Sequence, residues 1–164
     1  MDSPDPVAAA VEQWRAERPD LDPAPLLVLG RIQRIEALAD AVLRAPFAAA
    51  GLGNGDFDAL AALRRSGRPY ALSPGELADA MLVTTGAVTK RVDRLEERGL
   101  VARTVAPGDA RARVVSLTPA GRRLADRLIA THLDNERALL DGLSAAERDT
   151  LAGLLGRLLR SIEP

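Results

Sequence analysis

Apolar residues return every three or four positions through both ends of this chain, the period of a helix with one buried face. Val7 to Arg18 reads as a short amphipathic helix carrying Trp14. Pro19, Pro23 and Pro25 interrupt it. Leu26 to about Ala45 reads as a second, longer helix with Leu29, Ile32, Ile35, Ala39 and Val42 on one side. Pro46 is expected to end or kink that helix, because proline lacks the N–H that an inner turn needs. Gly51 to Gly55 is loop, and Phe57, Leu60, Ala61 and Leu63 mark a third helix that stops at Ser66-Gly67-Arg68-Pro69. Pro119 to about Leu140 is a long helix. Ser144-Ala145-Ala146-Glu147 is a capping box opening a last one. Its stripe, Leu151, Leu154, Leu155, Leu158, Leu159 and Ile162, steps i, i+3, i+4, i+7, i+8, i+11.

The pattern changes between Ser73 and Gly121. Ser73-Pro74-Gly75-Glu76 is a capping box with proline at the first helical position. Leu77, Ala78 and Met81 give its helix one apolar side. Thr84 offers a second N-cap. Val88, Val92 and Leu95 then follow at spacings of four and three, and Gly99 stops that helix. Leu100 to Val105 is a β-branched run, Pro107-Gly108-Asp109 is turn chemistry, and Val114 to Leu117 returns as a second strand. Thr118-Pro119 opens the next helix. Helix, turn, helix and hairpin in that order predict a winged helix-turn-helix, mainly α with a small β-hairpin wing. Such a module sets one helix in a major groove and a loop in a neighbouring minor groove.

Charge sharpens that expectation. The 164 residues sum to −1, yet residues 84–123 hold nine Lys or Arg against four acids. A basic module inside an acidic chain suits a directed phosphate-binding face. Aromatic content is 2%, so Leu, Val and Ala must build the core, and Ala and Leu favour helices. The chain has no cysteine and one histidine, His132, which argues against disulfides, a thiolate or zinc site and a catalytic constellation. No metal and no cofactor are expected. No apolar run is long enough to span a membrane, and the acidic N-terminus is unlike a signal peptide. A cytoplasmic, non-enzymatic DNA-binding protein is the expectation.

On the recognition helix, Thr85, Thr89, Lys90 and Arg94 are expected to face outward, where Thr and Lys can reach base edges or phosphates. Ser73 and Thr84 sit at helix N-termini that can take a phosphate. Arg111 at the wing tip is the candidate for minor-groove insertion, and Asp109 for fixing the wing. Arg113 is either a phosphate contact or an exposed strand residue. The terminal stripe either packs on the chain's own core or pairs with a second copy. The dimer is favoured, through Leu151, Leu155, Leu158, Leu159 and Ile162, because paired helices read two half-sites of a pseudo-palindrome.

The stretch TTGAVTKRVDRLEERGLVAR, followed by GDARARVVSLTPAG, resembles the MarR family of bacterial transcription regulators. Its wing signature stands as Asp109-Ala110-Arg111 and Leu117-Thr118-Pro119-Ala120-Gly121. The resemblance covers about residues 26–162 and implies a triangular homodimer and repression relieved by a small ligand. WRAERPDLDPAPLLVLGRIQRI, GRPYALSPGELA and HLDNE are similar to the urate-responsive branch of that family. That branch implies a ligand site at Trp14, Asp58, Arg91 and Arg103, with Asp56 as an alternative to Asp58. Trp14 would cover a flat purine-like anion, the arginines would donate to its oxygens, and Asp58 would accept a ring N–H or hold an arginine. The plainer alternative is a structural Asp58–Arg91 ion pair. Phenolic or carboxylate ligands, or a constitutive regulator without a ligand, also stand. The chain is then organised as 1–50, N-terminal helices serving as ligand lid and dimerisation region; 51–121, the winged domain; and 122–164, C-terminal dimerisation helices.

Overall fold

The computed structural model describes residues 5–106 and 109–163, with side chains omitted at 106 and 109–112. The elements run α1 (Pro6–Glu17), α2 (Leu26–Ala49), α3 (Asp56–Arg65), β1 (Ala71–Leu72), α4 (Pro74–Met81), α5 (Thr85–Glu97), β2 (Val101–Ala106), β3 (Asp109–Leu117), α6 (Pro119–Leu139) and α7 (Ala145–Ile162). The fold is mainly helical with one small antiparallel sheet, ordered β1-β3-β2. Two compact units form, Met1–Arg44 and Ala45–Pro164.

In the first unit, Asp5 caps α1 by accepting from the backbone N–H of Val7 and Ala8. Its other oxygen holds Arg31 of α2 at 2.7 Å. Val11 is fully buried. Gly30 leaves room for Val7, whose methyl lies 3.0 Å from where a Cβ would stand.

In the second unit, the expected apolar faces become the core. Val88, Val92 and Leu95 of α5 are buried with Leu60 and Leu63 of α3, Leu77 of α4, Leu100, Val101, Val115, and Leu124 and Leu128 of α6. Both capping boxes are present, at Ser73–Glu76 and Ser144–Glu147. The Leu-Thr-Pro-Ala-Gly segment has a direct physical reading. Thr118 caps α6 by accepting from the N–H of Gly121, and its hydroxyl donates to the carbonyl of Gly99 at 2.7 Å. Gly121 then lies so close to β2 that a Cβ there would stand 1.8 Å from the Leu100 carbonyl oxygen. This closes α6 onto the root of the wing.

Two features differ from the sequence expectation. Helix α2 does not stop at Pro46 but continues to Ala49. The Phe47 ring stacks on Phe57 of α3 at 3.9 Å, so tertiary packing holds the last turn that proline weakens. The sheet also has a third strand, β1, which pairs Ala71 with Ser116 and Leu72 with Val115. At two residues it is too short to leave a period in the sequence.

Helix α7 has no residue buried within the chain. Leu151, Leu154, Leu155, Leu159 and Ile162 are all exposed, and Leu158 is partly so. No described helix is long and apolar enough to cross a membrane.

Candidate nucleic-acid interface

Helix α5 begins cleanly because Thr84 accepts from the N–H of Ala87. Thr84, Thr85, Thr89 and Lys90 are exposed. The Thr89 hydroxyl donates to the Thr85 carbonyl at 3.1 Å. Ser73, at the head of α4, is half-buried with its hydroxyl engaged by Glu76. The N-terminal half of α5 thus presents short hydroxyls and an ammonium to solvent.

The C-terminal half is tied inward. Asp56, only 1% exposed, accepts from Arg94 at 2.5 Å and from the Gly53 N–H at 2.7 Å. Arg94 also donates to the Asn54 carbonyl at 3.3 Å. The Asp56 carboxylate holds the Arg94 guanidinium above the ordinary arginine range. Arg98 donates to the carbonyls of Gly51 and Ala50 at 2.6 and 2.8 Å. Arg94 of α5 and Arg98 at its C-cap therefore clasp the Gly-rich loop 50–56. Arg94 was expected on the outward, DNA-facing side. It is exposed, and its long side chain also reaches Asp56.

The wing root is tied to the same helix. Arg103 of β2 pairs with Asp93 at 2.5 Å and with Glu96, and its backbone N–H donates to Glu96 at 2.9 Å. Hydrogen bonds donated to both acids, Asp93 foremost, raise the Arg103 pKa above its ordinary value. Arg113 is exposed on β3 opposite Val105. The Asp109 and Arg111 side chains lie outside the described residues.

The expected ligand residues fall in different surroundings. Asp58 is exposed and lines a cavity of about 500 Å³ with Phe57, Arg65, Met81, His132 and Glu136. In its wall His132 faces Glu136 at 3.2 Å through Nε2, while its buried Nδ1 has no hydrogen-bond partner. Arg91 is half-buried with its guanidinium over Gly55, where a Cβ would fall 2.2 Å from the guanidinium carbon. Gly55 has φ +76°, a backbone conformation that favours glycine, whereas the Arg91 side chain could swing aside. Among the described residues the inward ion pair of this helix is Asp56–Arg94 and not Asp58–Arg91. Trp14, in the other unit, is 51% exposed and borders a cavity of about 340 Å³ with Leu21, Pro23, Pro25 and Leu26. Sequence reasoning passed over Asp93, Glu96 and Arg98. The usable signal was an arginine or acid every turn along α5, facing a glycine-rich loop with spare carbonyls.

Comparison with known proteins agrees with this geometry. The MarR family model matches residues 50–112. The chain is 41% identical over 152 residues to the HTH-type transcriptional regulator PecS of Dickeya dadantii, covering 93% of this chain and 92% of that protein. The chain belongs to the MarR family. In structure it is similar to Bordetella bronchiseptica BpsR, whose DNA binding is regulated by 6-hydroxynicotinic acid. There the TM-score is 0.70, at 27% identity over 84% of this chain and 94% of that one. It is also similar to a mutant MarR from E. coli complexed with operator DNA. There the TM-score is 0.69, at 27% identity over 89% and 97% of the two chains. In this winged helix-turn-helix α5 takes the place of the recognition helix and β2–β3 that of the wing, and Thr85, Thr89 and Lys90 are exposed on α5.

Proposed function

We propose that this MarR-family DNA-binding regulator is a cytoplasmic homodimeric repressor released from a pseudo-palindromic operator by a small ligand. The observation that carries the ligand reading is the cavity of about 500 Å³ at Asp58. It touches Met81 and Leu82, which lead directly into the recognition helix, so an occupant can displace the reading element. BpsR supplies a precedent in a flat heteroaromatic acid. Asp58, with Trp14, Arg91 and Arg103, carries the response in this reading, and urate or a related purine-like anion is the first ligand to test. Thr84, Thr85, Thr89, Lys90 and Ser73 meet DNA, Arg113 contacts a phosphate from β3, and Arg111 enters the minor groove from the wing, with Asp109 fixing that loop. The exposed stripe of α7 supports the dimer, since a second copy would cover it.

The test is calorimetry and thermal shift with urate, xanthine, salicylate and 6-hydroxynicotinate, run beside DNA affinity. Linkage requires that a ligand weakening DNA binding be weakened by DNA through the same factor. A response to a compound other than urate ends the purine assignment. No response to any, with DNA affinity unchanged, leaves a constitutive regulator.

A further inference from the structure

A second basic surface lies apart from the recognition helix. Tyr70, in the turn between α3 and β1, is held with φ 62°, and its carbonyl accepts from the Leu117 N–H at the end of β3. Two guanidinium groups converge on its ring. Arg64 of α3 stands 4.9 Å from the ring centroid and Arg122 of α6 5.8 Å. Arg64 is neutralised by Asp126 at 2.5 Å. Arg122 has no carboxylate partner among the described residues, and it stands in the first turn of α6, where the helix field disfavours a cation. Arg68, two residues before Tyr70, is exposed and likewise has no acid partner among the described residues. That makes a cluster with two guanidiniums over one ring, a third arginine two residues along the chain, and one paired acid among them. An anion would complete it.

Position says which anion. Tyr70 is three residues from Ser73, so at most about 10 Å of chain separates the patch from the head of α4. We infer that Arg68, Arg122 and the Tyr70 ring form a secondary DNA-backbone site. This site takes phosphates flanking the operator core, beyond the reach of the recognition helix. The inference rests on the DNA-facing reading of α4. Guanidiniums with an aromatic platform suit a phosphate backbone and carry no base readout.

The test uses a duplex of about 18 base pairs, two half-sites one helical turn apart, selected by the full-length protein from a random library. The same duplex extended by one helical turn at each end is its partner. Wild type should bind the extended duplex several-fold tighter. The Arg68→Ala/Arg122→Ala protein should lose that preference and keep its affinity for the short duplex. On the extended duplex its salt slope should fall by about 3–4, since two arginines on each of two subunits give up four phosphate contacts at about 0.9 each. Arg68→Lys/Arg122→Lys should restore the slope, since a point charge suffices for phosphate. Equal wild-type affinity for both duplexes, or an unchanged slope in the alanine protein, overturns the inference. Equal loss on both duplexes also overturns it, because the residues would then serve the core site or the fold. A wild type that selects no sequence fails the regulator reading itself, a distinct result.

Discussion

The guanidinium of Arg94 lies 2.5 Å from the carboxylate of Asp56, and the acid is buried while the base is half open to water. The asymmetry decides what each substitution does. Arg94→Ala leaves a buried carboxylate with only the Gly53 N–H to satisfy it. Asp56→Ala leaves an arginine that can turn to solvent. Arg94→Ala should therefore cost more, about 2–3 kcal/mol against about 1. Urea denaturation of both single variants and the double variant checks this, and a double variant more stable than Arg94→Ala is the expected signature.

Arg103→Ala should separate stability from function. Its partners Asp93 and Glu96 are substantially exposed, so the stability loss should be about 0.5–1 kcal/mol. The lost tie joins wing to recognition helix, so operator affinity should fall further than that. Gel-shift titration beside thermal melting decides it. Equal small losses in both would show that the tie does not orient the wing.

Gly121→Ala should be among the worst single substitutions in the winged domain. Its Cβ would meet backbone, at 1.8 Å from the Leu100 oxygen, and backbone cannot swing aside. A loss of about 3 kcal/mol is expected, read as a lower denaturation midpoint. Gly75→Ala, where a Cβ meets open space, is the matched control.

The two capping boxes should titrate. Hydrogen bonds from Ser73 and Ser144 hold Glu76 and Glu147 below the usual glutamate range. Their folded values are depressed, so the contribution is present above the unfolded glutamate value and lost as pH falls through the lowered folded ones. Amide exchange at Ser73 and Ser144 should quicken over that acid window. Glu76→Gln and Glu147→Gln, which keep the box without a charge, should remove the dependence.

Leu155→Asp with Leu159→Asp should abolish self-association. Both residues are exposed in the single chain, so the charges cost little there and much in an interface. Sedimentation should give a folded monomer. A wild type that is itself monomeric at micromolar concentration ends the dimer proposal.

Local chemistry was legible in the sequence and long-range pairing was not. Ser73, Thr84, Thr118 and Ser144 cap helices through bonds to residues three positions on, and Gly99 takes φ 65° at the end of α5. Nothing distant is needed to foresee these. That α2 runs on past Pro46 was not legible because the Phe47–Phe57 stack beside that turn joins separate elements. The pairing of the exposed Arg94 with Asp56 was not legible because helical period gives the direction of a Cβ, while a guanidinium can end on either side. Asp56 was passed over for Asp58 because both lie in the first turn of α3, and only packing decides which is enclosed.

Helix α7 keeps none of its residues out of water within the chain. If a second copy provides its cover, each newly made chain waits for a partner with its last helix poorly protected from proteases. Mass action then makes persistence as well as activity a function of abundance. A cell with few copies would lose them faster than one with many, which would give such a regulator a threshold expression level below which it is cleared.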